Sequence, residues 1–139
     1  MDTQYLIPPR ILIIDDDELI SASLRILLRS EGFSVFRTKD QSEVIDLITN
    51  HKVDLVFVDL MMPNRIGFSV LKEIKDNQQT RHIPVIILTN LGHMDYINAG
   101  MDMGAADYLL KSNIDTDDVV KIAKKYLITH NARQNLRMS

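Results

Sequence analysis

Apolar residues along this chain gather in short runs separated by stretches of helical spacing. Residues 11–14 (ILII), 55–58 (LVFV), 85–88 (VIIL) and 108–110 (YLL) are apolar at nearly every position and mostly β-branched. Such runs suit strands buried on both faces, as in a parallel sheet covered by helices. A fifth run, 33–36 (FSVF), is less continuous and predicts an edge strand. Between them, Ile20, Leu24, Leu27 and Leu28 fall on one helical face, and Gly32 supplies a stop. Asp40 with Glu43 reads as a helix cap and its N3 partner ahead of Val44, Ile45, Leu47 and Ile48. Phe68, Leu71 and Ile74 make a third stripe, and Val119, Ile122, Ala123, Tyr126 and Leu127 the last. Between Gly92 and Gly104 the pattern is faint and predicts a helix over 94–103. Five strands alternating with five helices predict a three-layer α/β domain, because parallel strands need crossover helices.

Composition narrows the picture. The chain has 139 residues, 45% hydrophobic and 25% charged, which is ordinary for one globular domain able to bury a core without staples. The expected organisation is an N-terminal extension over 1–9, a folded domain over 10–129 and a polar C-terminal tail over 130–139, read as a frayed helix end or a tail. There is no cysteine, so disulfides and thiolate metal sites are excluded. No basic start leads into an apolar leader, and no apolar run has the length of a membrane span, so the expectation is a cytoplasmic protein. A net charge of −3 offers no electrostatic footprint for nucleic acid. Lys121, Lys124, Lys125 and Arg133 read as a solvated face near a helix C-terminus, where cations suit the helix dipole.

The candidate chemistry lies where the predicted strands stop. The first run ends in Asp15 and Asp16, followed by Asp17; others end in Asp59, Thr89 and Lys111. In an open α/β sheet these ends share one rim, where ligands bind. Any one Asp after a strand is an ordinary turn former or cap; Asp17 reads as a cap or a solvated helix-start residue, and Asp54 precedes its strand and belongs to the opposite rim. Capping does not require carboxylates on two strand ends, a hydroxyl on a third and a cation on a fourth. Crowded carboxylates repel, and a divalent cation relieves them; an all-oxygen set favours Mg²⁺ or a similar hard ion. Such a metal could neutralise an incoming phosphoryl group and leave one carboxylate to attack, with Lys111 holding a phosphate oxygen and Thr89 donating to another.

The segments ILIIDDDELI, VDLVFVDLMMPNRIGFSVL, IPVIILTN and GAADYLLKS resemble the receiver domains of two-component response regulators, over about residues 11–127. The resemblance implies a flavodoxin-like, doubly wound (βα)5 sheet of strand order 2-1-3-4-5. It implies Asp59 as phosphoacceptor, and Asp15, Asp16, Asp59 and the Met61 backbone carbonyl as the Mg²⁺ site. It further implies Thr89 as the switch hydroxyl, Lys111 as the phosphoryl contact and Tyr108 as the switch aromatic. The chain departs from the usual pattern in three segments. Ser112 follows Lys111 where Pro is common, so a trans peptide is expected there. Asn90 follows Thr89 where a very small residue is usual, and is expected to cover part of the site. Arg65 and Ile66 precede Gly67 where an acidic residue often stands, and are expected to tune partner contact.

The implied function is a single-domain response regulator that takes a phosphoryl group from a histidine kinase or histidine phosphotransfer protein. It would catalyse only its own phosphorylation and dephosphorylation. Its switched surface would then act on a downstream protein target, as a monomer or a phosphorylation-dependent dimer, with no direct contact to nucleic acid or membrane. Two alternatives stay open: a pseudo-receiver that binds without phosphate, and a receiver cut from a longer regulator or hybrid kinase. An Asp-nucleophile phosphatase of the haloacid-dehalogenase type needs a second Asp where Met61 stands, and neither GxxxxGK[ST] nor GxGxxG occurs.

Overall fold

The computed structural model of the chain describes residues 7–63 and 66–138, and of residues 66 and 129–138 the backbone alone. The strands are β1 (Arg10–Ile14), β2 (Ser34–Thr38), β3 (Leu55–Val58), β4 (Val85–Thr89) and β5 (Asp107–Leu110). The helices are α1 (Glu18–Ser30), α2 (Val44–His51), α3 (Ile66–Asp76), α4 (Met94–Asp102) and α5 (Thr116–Met138). All strand pairs are parallel, in the order β2-β1-β3-β4-β5. The fold is therefore the expected three-layer, doubly wound α/β architecture. The chain reverses its direction of winding between β1 and β3, and that switch point opens the crevice at the C-terminal rim.

The continuously apolar strands serve two cores at once. Leu12, Ile14, Val56, Val58, Val85 and Ile87 face Val44 and Ile48 of α2 and Val70, Leu71 and Ile74 of α3. Their neighbours Ile11, Ile13, Leu55, Phe57, Ile86 and Leu88 face Leu24 and Leu28 of α1 and Val119, Ala123 and Leu127 of α5. Each fully buried side chain of this size contributes about 1.5–3 kcal/mol.

Local signals set the boundaries. The Asp17 carboxylate caps α1 by accepting the Leu19 and Ile20 N–H groups at 3.1 and 3.2 Å. Gly32 ends the same helix with φ 98°, a conformation that disfavours any side chain. Four expectations needed adjustment. The edge strand begins at Ser34, since Phe33 turns back to hydrogen-bond the Leu28 carbonyl of α1. Asp40 caps a short 3₁₀ turn, Gln41–Glu43, that leads into α2. The Glu43 N–H donates to the Asp40 carbonyl at 3.1 Å, but the return from the Glu43 side chain to the Asp40 N–H runs through the Thr38 hydroxyl, which donates to Glu43 at 2.8 Å and accepts the Asp40 N–H at 3.0 Å. The faint helix is real as α4, one residue shorter than expected, with His93 as its cap. The backbone of α5 continues as helix to Met138, well past Leu127 where its apolar stripe stops. Met1–Leu6, Asn64, Arg65 and Ser139 lie outside the described residues, as do the side chains of Ile66 and Arg133, and with them the partner contact expected of Arg65 and Ile66.

Asp54 belongs to the far rim, as its position before β3 indicated. It accepts the Arg10 N–H through its side chain at 2.9 Å and donates its own N–H to the Arg10 carbonyl at 2.7 Å. Among the described residues, no helix is long and apolar enough to cross a membrane.

Candidate functional site

Parallel pairing carries the sheet one residue beyond each strand and so sets the site. The Asp59 N–H donates to the Ile14 carbonyl at 3.0 Å, and the Lys111 N–H donates to the Thr89 carbonyl at 2.8 Å. The Asp15 N–H donates to the Thr38 carbonyl at 3.2 Å. Each acidic side chain then folds back on its own loop: Asp15 Oδ1 accepts the Asp17 N–H, and Asp59 Oδ1 accepts the Met61 N–H, both at 2.9 Å. Asp has the reach for this two-residue turn, which leaves its second oxygen free to face inward.

Lys111 joins the two. Its Nζ lies 2.8 Å from Asp15 Oδ2 and 2.8 Å from Asp59 Oδ2. All three side chains are 10% exposed or less, so solvent screens the pairing little. Burial pushes the Asp15 carboxyl above its ordinary value, and the Lys111 hydrogen bond only partly opposes this. Burial alone would weaken the Lys111 ammonium. Its hydrogen bonds to Asp15 and Asp59, with their charges, outweigh that and raise it. The result is a fixed cation between two buried carboxylates.

Thr89 is fully buried at the end of β4, where its hydroxyl accepts the Leu91 N–H at 3.4 Å. Tyr108 reaches the same loop: its hydroxyl donates to the Leu91 carbonyl at 2.5 Å. Burial and the Asp59 charge raise the Tyr108 pKa. Leu91 is thus held from both sides, by the Thr89 hydroxyl at its N–H and by Tyr108 at its carbonyl. Asn90 is exposed, Ser112 is exposed, and the described residues contain no cis peptide. Beside Asp59, an apolar hollow of about 330 Å³ is lined by Leu60, Met61, Met62, Phe68, Leu91 and Tyr96.

The structure brings together Asp15, Asp59 and Lys111 by direct contact. Asp16 is exposed next to them. Among the described residues, no group of three or more His, Asp or Glu side chains gathers as a metal site. Lys111 supplies the positive charge that faces Asp15 and Asp59. Two contributors were missed in the sequence. Gly67 lets α3 approach β3 closely, since a Cβ there would sit 2.4 Å from the Asp59 carbonyl oxygen. Arg37 donates from β2 to the Asp15 carbonyl at 3.0 Å. Its one available signal was a charged residue inside a short strand.

Residues 11–124 match the response regulator receiver domain, and the chain belongs to that family. The transcriptional regulatory protein CpxR of Escherichia coli is 38% identical over 114 residues, 81% of this chain and 47% of its own length. The chain spans less than half the length of the curated relatives it matches. A CheY-like receiver domain protein from Methanospirillum hungatei superposes with a TM-score of 0.81 at 24% identity, covering 91% of this chain and 99% of that one. The Mn²⁺-bound form of the response regulator Rcp1 superposes with a TM-score of 0.73 at 25% identity, covering 86% and 95%.

Proposed function

We propose that this receiver domain is a phosphoacceptor whose Asp59 takes a phosphoryl group from a phosphohistidine on a histidine kinase or phosphotransfer protein. The observation that carries the reading is Lys111 Nζ at 2.8 Å from both Asp59 Oδ2 and Asp15 Oδ2 on the C-terminal rim. One ammonium is already held beside the Asp59 carboxylate, where it would meet the charge of an arriving phosphoryl group. An Asp59 carboxylate oxygen forms the O–P bond as the P–N bond of the phosphohistidine breaks. The imidazole leaves with the electron pair, and an acyl phosphate remains on Asp59.

The donor set suits a small hard cation. Asp15 and Asp59 turn buried carboxylates toward one point, and each oxygen keeps lone-pair capacity beyond its one hydrogen bond. Asp15, Asp16, Asp59 and the Met61 backbone carbonyl would hold Mg²⁺, in keeping with the Mn²⁺-bound form of Rcp1. Bound there, the ion supplies charge neutralisation for the transferring phosphoryl oxygens. The Met61 N–H steadies Asp59 for attack, and Lys111 exchanges a carboxylate partner for a phosphoryl oxygen. The Thr89 hydroxyl, lightly held at 3.4 Å, is available to donate to another.

Thr89 and Tyr108 share Leu91, so movement of one bears on the other. This supports a phosphate-driven shift of the β4–α4 loop and of the surface made by α4 and β5, read by a downstream protein. The test is intact mass after incubation with acetyl phosphate and Mg²⁺. One added phosphoryl group, absent in Asp59→Asn and in EDTA, is expected. If phosphorylated kinase also fails to label a protein shown to bind Mg²⁺, the reading is wrong and a binding module takes its place.

A further inference from the structure

Arg37 is a charged residue inside the edge strand β2, in register with the core residue Ile13. Its side chain is only 12% exposed. Its Nε donates to the Asp15 carbonyl at 3.0 Å, and its Nη1 reaches Glu18 Oε1, in the first turn of α1, at 3.4 Å. Its Nη2 is buried with no hydrogen-bond partner among the described residues. As a stabilising device this is a poor choice. A buried guanidinium is costly unless fully paired, and an apolar side chain of the same length would fill the space without that cost.

The contact acquires a purpose from what it fixes. The Asp15 carbonyl oxygen lies in the peptide plane that leads to Asp16, and that plane is rigid. The preceding peptide is held too, since the Asp15 N–H donates to the Thr38 carbonyl. Residues 37 and 38 of one strand thus grip Asp15 on both sides. Glu18 extends the same grip to the start of α1. The segment so held carries Asp15 and Asp16, two of the residues assigned above to the cation.

We infer that Arg37 is a positioning residue for the cation site: it sets the Asp15–Asp16 peptide so that both carboxylates present to one ion. The inference rests on the Mg²⁺-dependent phosphoacceptor reading. Outer-shell partners that orient ligands typically change metal affinity by about 10–100-fold when removed. Arg37 would act in this way through the backbone rather than through a side chain.

The experiment is calorimetric titration of Mg²⁺ into the full chain without phosphodonor, for wild type, Arg37→Met and Arg37→Lys. Arg37→Met keeps the apolar stem and removes the donors. Its Mg²⁺ dissociation constant is expected to rise about tenfold or more, with Arg37→Lys between it and wild type, because a lysine cannot bridge both acceptors with a planar fork. Acetyl phosphate labelling of Arg37→Met at saturating Mg²⁺ should recover most of the wild-type rate, which a general loosening of the fold would not allow. A folded Arg37→Met with wild-type Mg²⁺ affinity overturns the inference. If Arg37→Met does not fold, Arg37→Lys decides by the same titration, and an unchanged constant overturns it. Wild type that neither binds Mg²⁺ nor gains phosphoryl mass removes the phosphoacceptor reading itself, and the role of Arg37 with it.

Discussion

At the scale of single residues, the site turns on one ammonium shared by two buried carboxylates. Lys111→Met would leave Asp15 and Asp59 facing each other with no cation. Breaking a buried pair in this way costs about 3–5 kcal/mol, and Mg²⁺ should restore part of it. Urea unfolding with and without Mg²⁺ measures both effects; a variant as stable as wild type in EDTA would show that the ammonium is not what holds the pair. The pH dependence has a definite sign. The folded Lys111 pKa is raised, so its contribution is full below the ordinary 10.5 and is lost as pH climbs through the raised value. The stability gap between wild type and Lys111→Met should therefore persist at neutral pH and narrow only in strong alkali.

At the scale of elements, two glycines make contrasting cases. At Gly67 a Cβ would meet backbone, 2.4 Å from the Asp59 carbonyl oxygen and 2.6 Å from the Leu60 Cα. Neither atom can yield without moving β3 or α3, so Gly67→Ala should cost about 1–3 kcal/mol and slow Asp59 labelling as well. At Gly100, in α4, a Cβ would meet the tip of the Ile87 side chain at 2.5 Å and the Tyr108 ring at 3.4 Å. The Ile87 tip can rotate away, and alanine favours the helix by about 1 kcal/mol. Gly100→Ala should therefore be close to neutral in chemical denaturation while Gly67→Ala is not. Equal losses would mean that α4 is packed as rigidly as α3.

At the scale of the whole molecule, the site is bought with stability. Burial raises the Asp15 pKa, so the folded chain binds that proton more tightly than the unfolded chain does. The contribution is full below the ordinary 3.8 and declines as pH rises through the raised value. Near neutral pH an ionised Asp15 is consequently a net cost, of the kind that functional sites commonly carry. Asp15→Asn should melt no lower than wild type in EDTA. Mg²⁺ is expected to raise the wild-type melting temperature through preferential binding to the folded state, and Asp15→Asn should lose that rise. Thermal melts of both proteins across a Mg²⁺ series decide this, and an undiminished Mg²⁺ shift in Asp15→Asn would remove Asp15 from the cation set.

Much of this was open to reading in the sequence, and the reason is periodicity. Apolar runs such as 55–58 and 85–88 are buried on both faces, so composition alone marks them as interior parallel strands. Residues just past those runs share a rim by topology, which gave the expectation that Asp15, Asp16, Asp59, Thr89 and Lys111 converge; side-chain contact joins Asp15, Asp59 and Lys111, while Asp16 is exposed beside them. Local chemistry likewise marked the Asp17 cap and the Gly32 stop. The sequence could not tell how the rim balances its charge, because that depends on distances between residues up to 96 positions apart. Only the folded chain sets Lys111 between both carboxylates, threads Thr38 into the Asp40–Glu43 cap and ties Tyr108 to the Leu91 carbonyl. Arg37 shows the limit most clearly. In a linear pattern it is a lone charge in a weak strand, and its meaning arises only when β2 lies beside β1 and its side chain meets the peptide between two aspartates.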